Sequence, residues 1–307
     1  MTRVSSFGQQ SQMVRTLMEN QQRVFEGQRQ IATGKKTDEF AGLAGVTSTA
    51  LSSRSFLARI ETFQSSIKTV RGKLDANDVQ IQGMLTSMEA LRDNIQVALS
   101  NNQAEGFSEM LDQTFRFMVN GLNTNFDGGY LFSGAKTGTR PVNVNDLAGL
   151  SALPAVADAF DNSDVAFRAK VADNVDLEFG MLADDLATGS FTILKDLYDY
   201  DQGPDGPLNG ELTQTQWNFL QSQLATITSA IDDLRQKQVN NGLVNQRLDI
   251  VDEQHADTAV FVEVFIADLE DVDIAEAVTR LNNNQVALEA SYRAVSALAD
   301  LSLLDFL

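Results

Sequence analysis

Both ends of this 307-residue chain carry apolar side chains at the spacing of a helix seam. They recur three, four or seven residues apart, or at multiples of these distances, so that they fall on one stripe of a helix. A stripe of this kind requires a partner surface. The stripe residues are Val14, Leu17, Phe25 and Ile31 at the first end, and Ile274, Val278, Leu281, Leu288, Tyr292, Val295 and Leu298 at the second.

The two ends also carry opposite charge. Residues 1–73 contain 11 Lys or Arg against 5 Asp or Glu, a net charge of +6, whereas residues 254–307 contain 2 against 10, a net charge of −8. Opposite charge favours pairing of one end with the other over pairing of like ends. We therefore expect the terminal segments to form an elongated, antiparallel, coiled-coil-like helical rod.

Further helices are expected between the two ends. All four prolines lie between residues 141 and 207, so proline interrupts neither flank. Gly34 suits the left-handed position that follows a helix. Helical spacing predicts helices over residues 11–33, 46–100, 103–125, 213–252 and 254–299.

The middle of the chain follows a different pattern. Residues 141–210 hold 3 Lys or Arg against 13 Asp or Glu, and residues 126–138 are glycine-rich around a short apolar run. Alternating apolar residues predict strands over residues 165–171, 175–179 and 191–194. We expect this acidic segment to form a smaller, β-containing domain that projects from the helices.

The expected fold class is mainly α, with an inserted α+β domain. The chain divides into a helix and loop for assembly (1–45), the N-terminal half of a helical rod domain (46–137), the inserted acidic β-rich domain (138–210), the C-terminal half of the rod domain (211–253) and a C-terminal assembly helix (254–307).

Composition argues against most catalytic chemistry. The chain has no cysteine and a single histidine, His255, so thiolate nucleophiles, cysteine metal sites and paired imidazoles are excluded. A net charge of −19 argues against nucleic acid as the main partner. No apolar run is long enough to span a membrane, and the first thirty residues lack the pattern of a cleaved signal peptide. We expect no enzyme activity, no cofactor and no insertion into a membrane.

Three small motifs have plain structural interpretations. Asp201, Asp205 and Gly206 follow the order of a calcium loop, but Gly203 and Leu212 stand where ligands are needed, so we expect a solvated acidic turn and no metal site. The carboxylates Asp173, Asp176 and Glu178 have no base or nucleophile nearby and are expected on an exposed strand edge. The glycines Gly128, Gly129 and Gly134 are interpreted as turn residues.

Three separated segments together resemble the flagellin superfamily. They are IATGKK at residues 31–36, NTNFDGGYLFSG at residues 123–134 and NNQVALEASYRAVSALADLSLLDFL at residues 283–307. The second segment and the SLLDFL ending are more similar to the hook-associated junction proteins of this superfamily than to filament flagellins. One departure is the loop after Lys36, which lacks the proline that many relatives carry there.

The resemblance implies a structural protein of the bacterial flagellum, exported through the flagellum itself and assembled outside the cell between hook and filament. The implied partners are other copies of the chain, a neighbouring hook-associated protein, flagellin and an export chaperone at the C-terminal helix. The alternatives are a filament flagellin and a cytosolic coiled-coil binding module. The expected assembly interface combines the two terminal stripes with the apolar tail residues Leu301, Leu304 and Leu307.

Overall fold

The computed structural model describes residues 2–43 and 45–304, with side chains for all of these except 2–7, 9, 40–41 and 298–304. Within them, the structure is mainly α with two short antiparallel hairpins, as expected from the sequence. The helices are α1 (Thr2–Thr33), α2 (Thr47–Asn101), α3 (Phe107–Leu122), α4 (Leu147–Ser151), α5 (Ala183–Asp201), α6 (Gln214–Glu270) and α7 (Ile274–Leu304), and the strands are β1 (Asn125–Phe126), β2 (Gly129–Tyr130), β3 (Arg168–Ala172) and β4 (Val175–Glu178).

The chain forms two compact units. Met1–Arg59 and Asp257–Leu307 make one, which we call the terminal unit, and Ile60–Ala256 makes the other, which we call the central unit. Helices α2 and α6 contribute to both, because each is more than fifty residues long. The five-segment division of the sequence given above stays a prediction.

Helices α2 and α6 run antiparallel in the central unit. The side chain of Asn241 donates to the carbonyl of Leu74 at 2.8 Å, and the indole of Trp217 donates to the carbonyl of Leu99 at 3.2 Å. The buried face of α2 keeps a seven-residue repeat, which is the spacing of a helix packed along another helix. Its fully buried members are Ile67, Leu74, Ile81, Met88 and Ile95.

The acidic segment shares the core of the long helices. Phe191 of α5 lies 5.1 Å from Phe115 of α3 and 5.2 Å from Phe160, measured between ring centroids. Phe115 and Phe191 are fully buried in the same cluster as Leu91 of α2 and Ile231 of α6. This segment therefore completes the core of the central unit and does not stand apart from the long helices, as the expected projecting domain would.

The β3–β4 hairpin packs on α2 and α6. Val171 and Leu177 are buried with Leu74 and Leu248 in a second apolar cluster. His255 belongs to this contact: its Nε2 lies 2.7 Å from the carbonyl oxygen of Val171, and its ring stacks on a phenylalanine of α2. A structural role therefore accounts for the single histidine.

The glycine-rich motif forms the tight β1–β2 hairpin. Asp127 and Gly128, at its tip, both have positive φ, 54° and 78°. Two successive positive φ values characterise the two-residue turn that Asp-Gly favours. Gly134 has a φ of 60°, so the interpretation as turn residues is confirmed for Gly128 and Gly134, whereas Gly129 is the first residue of β2.

Two sequence expectations about secondary structure are wrong. Residues 191–194 lie inside α5, whose buried residues recur at helical spacing, and the acidic segment is therefore α+β and not β-rich. The helix expected to end at residue 252 continues to Glu270. The break comes at Asp273, whose Oδ1 accepts from the backbone N–H of Ala275 and of Glu276 at 2.9 and 3.1 Å and so caps α7.

The acidic turn around Asp201 is not solvated at its first carboxylate. Asp201 is 2% exposed, and its carboxylate accepts from the hydroxyl of Ser108 and the backbone N–H of Leu208, both at 2.8 Å. Its side chain therefore fixes the loop after α5 to α3. Among the described side chains, no group of three or more potential metal ligands comes together.

Replacing this buried carboxylate should destabilise the central unit. We expect Asp201→Ala to lower the free energy of unfolding by about 2 kcal/mol, because it leaves the buried N–H of Leu208 without an acceptor. Urea denaturation followed by the fluorescence of Trp217 measures the change. The exposed control Asp205→Ala should stay within about 0.5 kcal/mol of the wild type. An equal loss in both variants, or a higher midpoint with added Ca²⁺, would contradict the assignment.

Candidate assembly interface

Helices α1 and α7 lie antiparallel in the terminal unit. The side chain of Asn20 donates to the hydroxyl of Ser291 at 2.8 Å, and that of Arg280 donates to the side-chain oxygen of Gln30 at 3.4 Å. Residue numbers rise along one helix as they fall along the other, which defines the antiparallel direction. The first and last helices therefore contact each other, as the opposite charges of the two ends predicted.

The seam between α1 and α7 alternates apolar residues with small or polar ones. At Gly27 a Cβ atom would stand only 3.3 Å from the side chain of Leu281, so glycine allows the two helices to approach closely here. The alternation leaves the seam narrow and only partly apolar. Its residues are Leu17, Asn20, Val24, Gly27 and Ile31 in α1, and Ala277, Leu281, Asn284, Leu288, Ser291 and Val295 in α7.

The structure divides the residues expected at the assembly interface into three groups. Leu17, Ile31, Leu281, Leu288 and Val295 lie half-buried in the seam. Leu298, Leu301 and Leu304 lie on the backbone of α7 but their side chains are outside the described set, and Leu307 is outside the described residues altogether. The exposed remainder, which the α1–α7 contact leaves uncovered, is Val14, Phe25, Ile274, Val278 and Tyr292.

Four of these five exposed residues share one side of the helix pair, and the fifth, Ile274, lies seven residues before the seam residue Leu281. The seven-residue repeat puts Val14, Gln21 and Gln28 of α1 at equivalent positions beside the seam, and Val278, Gln285 and Tyr292 at the matching positions of α7. The side-chain amide of Gln21 donates to the hydroxyl of Tyr292, so both sets edge the same face. The three glutamines are exposed at the edge of the seam.

This face carries no charge at any of those six positions. Met18 and Phe25 extend it outward and are 63% and 66% exposed. We call these eight residues the uncharged strip. The opposite edge of the seam carries Arg23 and Arg280. Since isolated helices gain most of their stability from burying an apolar face, the uncharged strip marks where further packing is available.

A polar cluster joins the end of α1 to the end of α6. The Nζ of Lys36 donates to the carbonyls of Asp268 and Leu269 at 2.7 and 3.0 Å, and its backbone N–H donates to the carbonyl of Glu270 at 2.7 Å. A cation at a helix C-terminus satisfies carbonyls that have no partner inside the helix. The basic pair after Gly34 thus follows the end of α1 and also contacts the C-terminal end of α6.

Glu270 is the buried centre of this cluster. It is 5% exposed, and its carboxylate receives two hydrogen bonds from the guanidinium of Arg54, with the Nε–Oε1 distance 2.7 Å. The Nζ of Lys35 lies 3.5 Å from Oε2 and also pairs with Asp271. The hydrogen bonds from Arg54 lower the pKa of Glu270 below its ordinary value of 4.5.

Profiles of two flagellin regions match the two parts of the chain that form these helices. The bacterial flagellin N-terminal helical region matches residues 4–137, and the bacterial flagellin C-terminal helical region matches residues 224–307. The chain belongs to the bacterial flagellin family. Flagellins are structural, non-enzymatic proteins of the bacterial flagellum, an extracellular appendage, and this chain is a structural component of that kind.

Two solved structures share the fold of this flagellin-family chain. A protein from Vibrio parahaemolyticus described as a flagellar hook-associated protein superposes with a TM-score of 0.59 at 18% sequence identity, over 73% of this chain and 97% of that chain. FlgL from Bacillus cereus superposes with a TM-score of 0.55 at 16% identity, over 70% and 98%. No curated protein sequence matches significantly. No helix in the described part of the chain is long and apolar enough to cross a membrane.

Apolar spacing in the sequence does not reveal all of this interface. Asn20, Gly27, Ala277 and Ser291 are seam residues that a search for apolar spacing passes over. Arg54 and Glu270 are separated by 216 positions, so no local pattern connects them. The one available signal was the basic pair Lys35 and Lys36 directly after a helix.

The terminal unit should lose stability in acid through Glu270. Because folding lowers the pKa of this carboxylate, its contribution is complete above pH 4.5 and disappears as the pH falls through the lowered value. At pH 7, Glu270→Gln should lower the unfolding free energy by about 2 kcal/mol, since Arg54 loses a charged acceptor. Denaturation followed by circular dichroism at pH 7 and pH 3 measures the difference.

The exposed pair of Glu276 with Arg280 supplies the control for that change. Glu276→Gln should alter the unfolding free energy by less than about 0.5 kcal/mol at either pH. A Glu270→Gln deficit that is as large at pH 3 as at pH 7 would show that the carboxylate charge is not what stabilises this cluster.

Proposed function

We propose that this chain is a flagellin-like hook-associated protein that joins the hook to the filament. The observation that carries the proposal is the uncharged strip on a helix pair formed by the two family-matched segments. Such a strip suits a subunit whose terminal helices pack against those of its neighbours. The chain also shares its fold with 97% of a chain described as a flagellar hook-associated protein, which supports the junction role.

The proposed assembly step is the burial of the strip between copies. Exposed apolar surface removed from water contributes about 25 cal/mol per Å², which opposes the entropy of ordering the subunits. The residues with most to gain are Met18, Phe25 and Tyr292, at 63%, 66% and 48% exposure. The six edge positions themselves are uncharged, so their burial removes no charge from water.

The proposed partners follow from this surface. Copies of the chain would contact each other through the uncharged strip. In the assembly, the neighbouring proteins on either side of these copies would be another hook-associated protein and flagellin. Before assembly, an export chaperone would cover the part of the strip on α7, around Val278 and Tyr292. The proposed location is outside the cell, at the junction of hook and filament.

Electron microscopy of cells lacking this chain tests the junction role. We expect intact hooks without filaments, together with flagellin released into the medium, because flagellin would lack the junction on which the filament is assembled. Shortened or absent filament with the junction still present would instead indicate a filament flagellin. Long filaments formed by the purified chain alone would point the same way.

A charge placed in the uncharged strip should prevent assembly. We expect Phe25→Asp to weaken each contact between copies by more than about 2 kcal/mol, because it removes a large apolar side chain and buries a carboxylate. The unfolding free energy of the unassembled chain should change by less than about 0.5 kcal/mol, since Phe25 is exposed there. The measurements are immunogold labelling of isolated hooks and denaturation of the purified protein.

The matched control places the same charge elsewhere on the pair. Ala287 is exposed on the edge of the seam that carries Arg280, so Ala287→Asp should leave labelling of the hooks and motility close to wild type. Normal assembly of Phe25→Asp, or equal loss in both variants, would count against the uncharged strip as the assembly surface.

A further inference from the structure

We propose that Asn209 and Gly210 form a site of spontaneous covalent modification, at which Asn209 loses its side-chain amide and becomes aspartate or isoaspartate. The pair lies in the connection between α5 and α6, within the central unit. The uncharged strip belongs to the terminal unit, so this proposal stands or falls separately from the proposed function.

The reaction requires only the pair itself, a base in solution and water. The base takes the proton from the backbone N–H of Gly210, and the nitrogen attacks Cγ of the Asn209 side chain to form a new C–N bond. The bond from Cγ to the side-chain nitrogen breaks, and that nitrogen takes up a proton and leaves as ammonia. Glycine favours this attack because it has no Cβ to hinder it.

The product of this step is a five-membered succinimide ring, which one water molecule opens. Addition of water at the side-chain carbonyl gives aspartate at position 209. Addition at the backbone carbonyl gives isoaspartate, in which the main chain passes through Cγ and is one methylene longer. Both products carry a carboxylate in place of a neutral amide.

The chain contains three Asn-Gly pairs, and two of them lie inside helices. Asn120 and Gly121 belong to α3, and Asn241 and Gly242 belong to α6. The N–H of a glycine inside a helix donates to the carbonyl four residues earlier, so it is not available to attack the preceding side chain. Asn241 is also 4% exposed, and its side-chain nitrogen donates to the carbonyl of Leu74. Both helical pairs are therefore protected.

Asn209 and Gly210 form the pair outside helices and strands. The side chain of Asn209 is exposed. Across the described part of the chain, neither its amide nor the N–H of Gly210 has a hydrogen-bond partner, so both reacting groups are available. Gly210 has a φ of 75°, and apart from the adjacent residues no atom would stand within 4 Å of a Cβ placed there. The ring therefore has open space beside it.

The main chain on both sides of this pair is held to the core. The N–H of the buried Leu208 donates to the carboxylate of Asp201, and the carbonyl of Gly210 accepts from the N–H of Ala104, both at 2.8 Å. An isoaspartate at position 209 inserts one methylene between these two fixed points. At least one of the two hydrogen bonds then has to lengthen or break, so the conversion weakens the contact between this connection and the start of α3.

Peptide mass spectrometry of the aged full-length protein tests the site. The folded protein is kept at about pH 8.5, which favours loss of the amide proton, and is then digested with pepsin in acid. Conversion of an amide to a carboxyl group adds about 1 Da. We expect the peptide with Asn209 to gain this mass at least about ten times faster than those with Asn120 and Asn241, which react only when their helices open. A rate at Asn209 no higher than at the helical pairs overturns the proposal.

The same measurement on the unfolded chain separates structure from sequence. In concentrated urea the rates of the three pairs should agree within about threefold, because the helices no longer protect two of them. A preference for Asn209 that persists in urea would show that the folded connection is not its cause. Folded Asn209→Gln, whose longer side chain would have to close a six-membered ring, is the control and should gain no measurable mass in this peptide.

Denaturation of the converted chains tests the consequence for the core. They carry one more negative charge, so anion-exchange chromatography isolates them, and an isoaspartate-specific methyltransferase should label them. Their urea midpoint should lie about 0.5 M below that of the unconverted protein. Freshly purified Asn209→Asp has the same charge with an unaltered main chain, and its midpoint should stay within about 0.1 M of the wild type. Equal midpoints for the converted chains and this variant overturn the weakening of the core.

Discussion

The structure of the central unit depends on the seven-residue repeat along α2. Buried residues from Ile67 to Ile95 recur at that spacing, and a helix of 55 residues with such a repeat requires a long partner. Helix α6 supplies it from the other half of the sequence. Three further elements pack along this pair: α3 and α5 close the core at one stretch of it, and the β3–β4 hairpin covers another.

The length and the apolar repeat made the long helices predictable, whereas the packing of the acidic segment could not be predicted. Proline-free flanks and apolar spacing indicate long helices from the sequence alone. Charge density, by contrast, described only the surface of residues 141–210 and not what its apolar residues contact. Phe191 illustrates the difference: a run of β-branched and aromatic residues predicts a strand, but the side chain packs against Phe115 of α3 and Phe160, which no local pattern contains.

The candidate interface was predictable where it is apolar and unpredictable where it is polar. Leu17, Leu281 and Leu288 follow from spacing. The small and polar seam residues do not follow from spacing, because they contribute by allowing the helices to approach closely and by forming hydrogen bonds between them. The break before α7 had a signal that was missed, since Asp273 with Glu276 three residues later resembles the start of a helix. The pairing of Arg54 with Glu270 is a product of the fold and had none.

The sequence of the central unit lies between the two segments of the terminal unit, and this order along the chain affects the order in which the polypeptide can fold. The central unit, Ile60–Ala256, is one continuous stretch, whereas the terminal unit needs both Met1–Arg59 and Asp257–Leu307. During synthesis the core around Phe115 can therefore form first. Lys36 can bind the last carbonyls of α6 only later, because these lie more than 230 residues further along the chain. The entropic cost of closing this long loop opposes early pairing of the two ends. The chain can therefore complete the core of the central unit before the terminal unit forms.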